Sequence, residues 1–394
     1  MTTPRDPWDL LVIGGGTAGI VAGKTAARLG ARVALVETGR TGGDCLWTGC
    51  VPSKALLAAA SRTAGARESH ALGVHVSGVR VEFAEVFSHV RATISAIEPQ
   101  DSPDALRAAG VVVLHGMAEF TGSTTVEIDG DEHSFRQALI ATGGTPAVPP
   151  VEGLAESEPL TSDTVWGLTE PPDRLVVMGG GSIGCELGQA FARLGSRVTL
   201  VEGAPRLMPR EDPDAAALVH EALERDGVQV LTGRQATRVR GSAGEPGTLV
   251  VEGAAGPVEI GYDSLLVAVG RRPRSRNLGL ERAGVDVDER GFVTVDIHLR
   301  TSNRRIWAAG DVTPMPQFTH LAAVHGSVAA ANAVLGLRRS VDLTAVPRVT
   351  FTDPEVAAVG ADTGSDTGTR PSVVTRHHAD VDRALAEGEH RIPQ

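Results

Sequence analysis

A 28-residue unit occurs twice in this chain, offset by 165 residues, and it fixes the fold class before any other feature is read. Residues 10–37 and 175–202 agree at 16 of 28 positions. Each unit opens on a short apolar run, Leu10-Leu11-Val12-Ile13 or Leu175-Val176-Val177-Met178, the length of a buried strand. Glycines follow at once: Gly14, Gly16 and Gly19 in the first unit, Gly179, Gly181 and Gly184 in the second. An apolar helical stretch comes next, then a second strand ending in Glu37 or Glu202. Bare glycine backbone lets a pyrophosphate approach, the helix N-terminus stabilises its charge, and the distal carboxylate can bind ribose hydroxyls. A lone glycine triplet is weak; with both strands and the carboxylate in place it is specific. Two units argue for two dinucleotides and for an α/β chain with two Rossmann-like, three-layer domains.

Between the repeats lies Gly42-Gly43-Asp44-Cys45-Leu46-Trp47-Thr48-Gly49-Cys50-Val51-Pro52-Ser53-Lys54. On a regular helix the two cysteine Cα atoms would stand about 7.5 Å apart along the axis. A disulfide tolerates about 7 Å with converging Cβ vectors. The segment is irregular if they are bridged, with Gly49 supplying the slack. Pro52 suits a first helical turn, which puts Cys50 near a helix N-terminus, where a thiolate is stabilised. Half of a zinc site is the rival reading. Such knuckles come in pairs or with nearby histidines, and the only other cysteine is Cys185.

This segment resembles the redox motif of the class I pyridine nucleotide–disulfide oxidoreductases, in particular the dihydrolipoamide dehydrogenase and mercuric-reductase-like branch. The resemblance implies an FAD-dependent, NAD(P)H-linked enzyme with a redox-active Cys45–Cys50 disulfide. Cys50 resembles the flavin-side cysteine and Cys45 the interchange thiol. Lys54 resembles the lysine beside the flavin, and Glu186 its ion-pair partner. FAD would be held by Gly14, Gly16, Gly19, Glu37, Gly43, Lys54, the Ala141-Thr142-Gly143 segment, and Gly310-Asp311 of a second flavin motif. NAD would be held by Gly179, Gly181, Gly184, Glu202 and Gly270. Glu202 favours NAD over NADP, since a carboxylate repels a 2′-phosphate; Arg206 and Arg210 nearby count the other way. Relatives often carry an aromatic gate where this chain has Ser182. Cys185 reads as a packing residue and His320 as structural.

Along the chain, residues 1–146 read as the first part of the FAD domain and 147–273 as the NAD(P) domain. Residues 274–346 read as the return to the FAD domain, and 347–394 as an incomplete α+β dimerisation domain. Helices are expected at 54–64, 83–97 and 213–225, β-meanders at 116–137 and 236–260, and a hairpin at 349–360. Asp382 to Glu389 resembles a strand connection, and 362–369 reads as turns. No His-Pro dipeptide occurs, so the acid–base histidine that relatives carry in their last segment has no match. That puts dimerisation and full turnover in question. The resemblance implies a homodimer acting on a small-molecule or lipoyl disulfide. The alternatives are a mercuric-reductase-like enzyme, a diaphorase, or an inactive dinucleotide-binding remnant.

Composition narrows the rest. A formal charge of −11 disfavours nucleic acid as a partner. Three cysteines do not make a secreted disulfide framework. There is no apolar leader and no apolar run of membrane-spanning length, so the expectation is a cytoplasmic protein with no membrane partner and no bound metal.

Overall fold

The computed structural model describes residues 6–360, 374–377 and 380–387. The first repeat is strand–helix–strand: β1 (Trp8–Ile13), α1 (Thr17–Arg28) and β2 (Val33–Glu37). Leu10, Leu11 and Val12 are all fully buried, because a parallel sheet is covered on both faces and its strands read as continuous apolar runs. Then come α2 (Gly43–Trp47), α3 (Cys50–Glu68), α4 (Phe83–Asp101) and α5 (Pro103–Ala108). The apolar spacing of α4 buries Phe83, Phe87, Val90 and Ile94 on one face. Strands β3 (Val111–His115), β4 (Ala118–Phe120), β5 (Thr125–Ile128) and β6 (Asp131–Ile140) follow, then the short β7 (Gly144–Pro146).

The second repeat rebuilds this plan. It contains β8 (Leu160–Thr161), β9 (Arg174–Met178), α6 (Ser182–Arg193), β10 (Arg197–Val201), α7 (Pro213–Arg225) and β11 (Gln229–Leu231). A meander of β12 (Gln235–Arg240), β13 (Gly247–Glu252) and β14 (Val258–Tyr262) leads to β15 (Ser264–Val267) and β16 (Arg271–Pro273). The chain then runs through α8 (Leu280–Ala283), β17 (Ile306–Ala308), α9 (Thr319–Leu335), the hairpin β18 (Arg348–Thr350) and β19 (Val356–Ala358), and α10 (Asp382–Glu387).

The duplication extends to topology. The first sheet runs β3-β2-β1-β6-β5-β4, with β17 also on β6. The second runs β11-β10-β9-β15-β8. In both, the first strand of the repeat is central and pairs in parallel with the strand that leaves the meander. β7 and β16 form an antiparallel ribbon where the chain crosses between the two sheets. The third glycine of each unit is set by close approach. A Cβ on Gly19 would stand 1.9 Å from the Gly14 carbonyl oxygen, and one on Gly184 1.8 Å from that of Gly179.

Residues 382–387 form a helix. Asp-Arg-Ala-Leu-Ala-Glu holds no β-branched residue and suits a helix. The turns expected at 362–369 lie outside the described residues. Among the described residues no helix is long and apolar enough to cross a membrane.

Helix α9 packs on α1 and buries His325, whose Nδ1 accepts the Gly310 N–H at 3.3 Å. Burial lowers its pKa from 6.5 to about 4. The unfolded chain therefore takes up this proton below pH 6.5 and the fold only below about 4. Stability is complete above pH 6.5 and falls as the pH drops toward 4, by roughly 3 kcal/mol in all. His325→Gln, with an amide oxygen as acceptor, is expected to flatten the acid limb of a Tm-against-pH curve across that window. An unchanged limb would contradict this role.

Candidate active site

The cysteine segment is broken between two helices. Cys45 lies in α2, Cys50 opens α3, and Thr48-Gly49 form the joint. A Cβ on Gly49 would stand 2.8 Å from the Asp44 carbonyl oxygen, so only glycine fits this bend. Two indoles brace it. Trp47 Nε1 donates to Thr41 O at 2.8 Å, and Trp166 Nε1 donates to Thr48 O at 2.9 Å.

The two thiols are unbonded. Cys50 is lowered to about 6, first by the hydrogen bond it accepts from Cys45, then by the Thr319 hydroxyl and the Lys54 ammonium, against the effect of burial. Its Sγ stands 3.2 Å from Thr319 Oγ1 at the start of α9. Cys45 is pushed well up, by that same hydrogen bond, by burial and by the neighbouring thiolate. Both shifts favour Cys50 as the thiolate of the pair.

One turn along α3, Lys54 Nζ meets Glu186 Oε2 of α6 at 2.9 Å. Glu186 is buried and its other oxygen accepts the backbone N–H of Phe351 at 3.0 Å. Lys54 Nζ also lies 4.1 Å from the centre of the Phe351 ring.

The glycine loops form two matching cradles. A Cβ on Gly14 would stand 2.4 Å from Ala141 O, and one on Gly179 2.5 Å from Ala268 O. A Cβ on Gly43 would reach within 2.6 Å of the Gly16 Cα. Gly16 and Gly181 are the N-caps of α1 and α6, and neither supplies a side-chain cap, so both helices present bare N–H groups. Glu37 accepts Gly15 N–H at 2.6 Å; Glu202 accepts Gly180 N–H at 2.6 Å. Each carboxylate is thus aimed by its own loop. Gly143 and Gly270, at positive φ, close the matching exits of the two sheets. The Thr142 hydroxyl donates to Arg274 O at 2.6 Å.

Sequence reading missed the charge cluster beside this floor. Arg271 is paired with Asp44, donates to Gly144 O at 2.9 Å, and lies 3.8 Å from Asp163 and 3.7 Å from Asp311. Burial raises the pKa of both Asp163 and Asp311. Arg271 Nε is buried without a hydrogen-bond partner in the structure. Bare glycine floors, uncapped helix N-termini and an unsatisfied guanidinium N–H beside Asp311 fit an anionic, polyhydroxylated dinucleotide. Gly310, at φ +77°, presents Asp311 there.

The family described as pyridine nucleotide-disulphide oxidoreductase matches residues 8–326. The chain belongs to this family. The oxidoreductase is 41% identical over 359 residues to a mercuric reductase of Streptomyces lividans, covering 90% of this chain and 75% of that one. It is 38% identical over 361 residues to a dihydrolipoyl dehydrogenase of Geobacillus stearothermophilus, covering 89% and 75%. It spans 56–65% of the length of three further mercuric reductases. Its fold matches the HOCl-induced flavoprotein disulfide reductase RclA of Escherichia coli with TM-score 0.83 at 29% identity, covering 96% and 83%. The family binds FAD and uses a pyridine nucleotide.

The geometry thus gathers Cys45, Cys50 and Lys54 of α2–α3, Glu186 of α6 and Thr319 of α9. Glu37 and Glu202 stand apart, one on each sheet. Ser182 shares a 2.7 Å hydrogen bond with Thr350. Cys185 is fully buried, with burial pushing its thiol up to about 12. His320 is exposed and stacks on Phe318. Thr319, Phe351 and Arg271 were missed as site residues; the only local signal was that Arg271 follows Gly270.

In the reduced, flavin-free oxidoreductase, iodoacetamide at pH 7 is expected to label Cys50 before Cys45, with a rate midpoint near pH 6. Thr319→Val should move the midpoint upward. Equal labelling of the two cysteines would contradict the assignment of the thiolate to Cys50.

Proposed function

We propose that the chain is an FAD-dependent, NADH-linked disulfide oxidoreductase, with electrons passing between nicotinamide, flavin and the Cys45–Cys50 pair. The observation that carries this reading is the Cys45–Cys50 pair at the break between α2 and α3, with Cys50 Sγ 3.2 Å from the Thr319 hydroxyl and the Lys54–Glu186 ion pair one turn along. Residues 1–146 and 274–346 would hold FAD, 147–273 the nicotinamide nucleotide, and 347–394 would begin an interface with a second copy. Gly14, Gly16, Gly19, Glu37, Gly43, Ala141, Thr142, Gly143, Gly310 and Asp311 would hold the flavin nucleotide. Gly179, Gly181, Gly184, Glu202 and Gly270 would hold the nicotinamide nucleotide. Bound there, FAD supplies a two-electron carrier between hydride donor and disulfide.

The protein groups then account for the balance. NADH gives up two electrons and one proton. The S–S bond breaks, the proton remains on Cys45, and the second electron pair remains on Cys50. No further proton is required while Cys50 is a thiolate. Lys54 stabilises negative charge beside it, and Glu186 holds that lysine in place.

NAD is favoured over NADP by two features. Glu202 is fixed at the end of β10 by the N–H groups of Gly180 and Ala204, each at 2.6 Å. Arg206 is spent on backbone carbonyls, donating to Met208, Pro209 and Glu211, each at 2.9 Å. That leaves its guanidinium engaged rather than free for a 2′-phosphate.

The substrate of the dithiol is a small or lipoyl disulfide in the first reading. A second reading, reduction of a thiol-bound soft metal ion, is favoured by the higher identity to the mercuric reductase, 41% against 38%. NADH consumption with lipoamide and with thiol-complexed Hg(II) separates the two.

Cys50→Ser is expected to abolish the long-wavelength thiolate-to-flavin absorption while Cys45→Ser retains it; the reverse pattern would overturn the cysteine roles. Glu202→Ala should lower kcat/KM for NADH roughly tenfold or more while sparing NADPH. Equal losses with both nucleotides would contradict the ribose role.

A further inference from the structure

We propose that Phe351 is a positioning residue for Lys54: its ring holds the ammonium, and its backbone N–H aims the carboxylate that pairs with it. The inference deepens the proposed function and rests on it for the link to the flavin.

Three groups meet at this point from distant parts of the chain. Lys54 comes from α3, Glu186 from α6 and Phe351 from the end of β18. The Glu186 side chain is 8% exposed and the Lys54 side chain 38%. A buried carboxylate with a single cation still has one oxygen to satisfy, and an unsatisfied one is costly. The Phe351 N–H fills that role at 3.0 Å. Lysine carries its charge on a flexible four-carbon stem. With solvent on one side, the ion pair alone leaves it room to swing away. The ring face, 4.1 Å from Nζ, opposes that swing through its quadrupole.

The hairpin that carries Phe351 is fixed to the helix that carries Glu186. Thr350 bonds Ser182 at 2.7 Å, and Arg193 bonds Asp353 at 2.8 Å. Gln189 donates to Asp353 O at 2.9 Å and accepts its N–H at 2.8 Å. Arg348 pairs with Glu211 at 3.0 Å. Ser182, Gln189 and Arg193 all lie on α6, so hairpin and carboxylate form one body. The hairpin, expected from sequence only as the start of an interface, also completes the charged core.

The test compares Phe351→Leu, which keeps bulk but loses the ring face, with Phe351→Tyr, which keeps the face. Both are made in the full chain. One readout is the rate of Lys54 acylation, followed by mass spectrometry of its peptide. Phe351→Leu is expected to be about two- to fivefold faster than the parent, and Phe351→Tyr to match the parent. The second readout is the flavin midpoint potential. It should move negative in Phe351→Leu, further negative in Lys54→Met, and stay in place in Phe351→Tyr. If Lys54→Met moves the potential but Phe351→Leu moves neither readout, the inference is overturned. If Lys54→Met leaves the potential in place, the flavin reading fails instead. The acylation rate then decides alone: faster in Phe351→Leu supports the positioning role, unchanged overturns it.

Discussion

The Lys54–Glu186 ion pair is the contact on which the rest of the site depends. It spans 132 residues and joins the helix that begins at Cys50 to the helix that begins at the second glycine loop. It sits at the edge of an apolar core that the two halves share, in which Leu46, Leu56, Phe83 and Phe87 pack with Leu187, Phe191 and Leu194. A half-buried ion pair is weak evidence for stability, because desolvation offsets much of the attraction. Its value here is placement. It fixes a cation next to a thiolate and ties both to the nucleotide loop of the other repeat.

Around that pair the molecule uses one device twice. A strand ends in bare glycine, a helix leaves its first N–H groups uncapped, and a glutamate at the end of the next strand is aimed by the loop itself. The two copies differ in what has been added. The first received the cysteine helices and Asp311. The second received Glu186 and the docked hairpin. Electron transfer between two nucleotides needs such an asymmetry, since identical sites would give neither direction nor a terminus. In the proposed reading the Cys45–Cys50 pair is the terminus.

Much of this was legible in sequence because it is local. The strands of both repeats are contiguous apolar runs, and the glycine spacing is fixed within six residues. The break at Gly49 follows from the spacing of two cysteines. Lys54 and Glu186 could be paired only through resemblance to a family, since no local pattern links them. Thr319 and Phe351 were out of reach for the same reason: their partners lie 269 and 165 residues away in Cys50 and Glu186. His325 was hidden because α9 is apolar almost all round, so its pattern marks no face.

In the proposed function, flavin, cysteine pair and nicotinamide site form one circuit. The most direct measurement is an anaerobic titration of the oxidised, purified protein with NADH, counting equivalents consumed per flavin. Two are expected: the first reduces the disulfide and develops the long-wavelength thiolate-to-flavin absorption, and the second reduces the flavin and removes it. Full bleaching after a single equivalent, with both cysteines still resistant to alkylation, would contradict it.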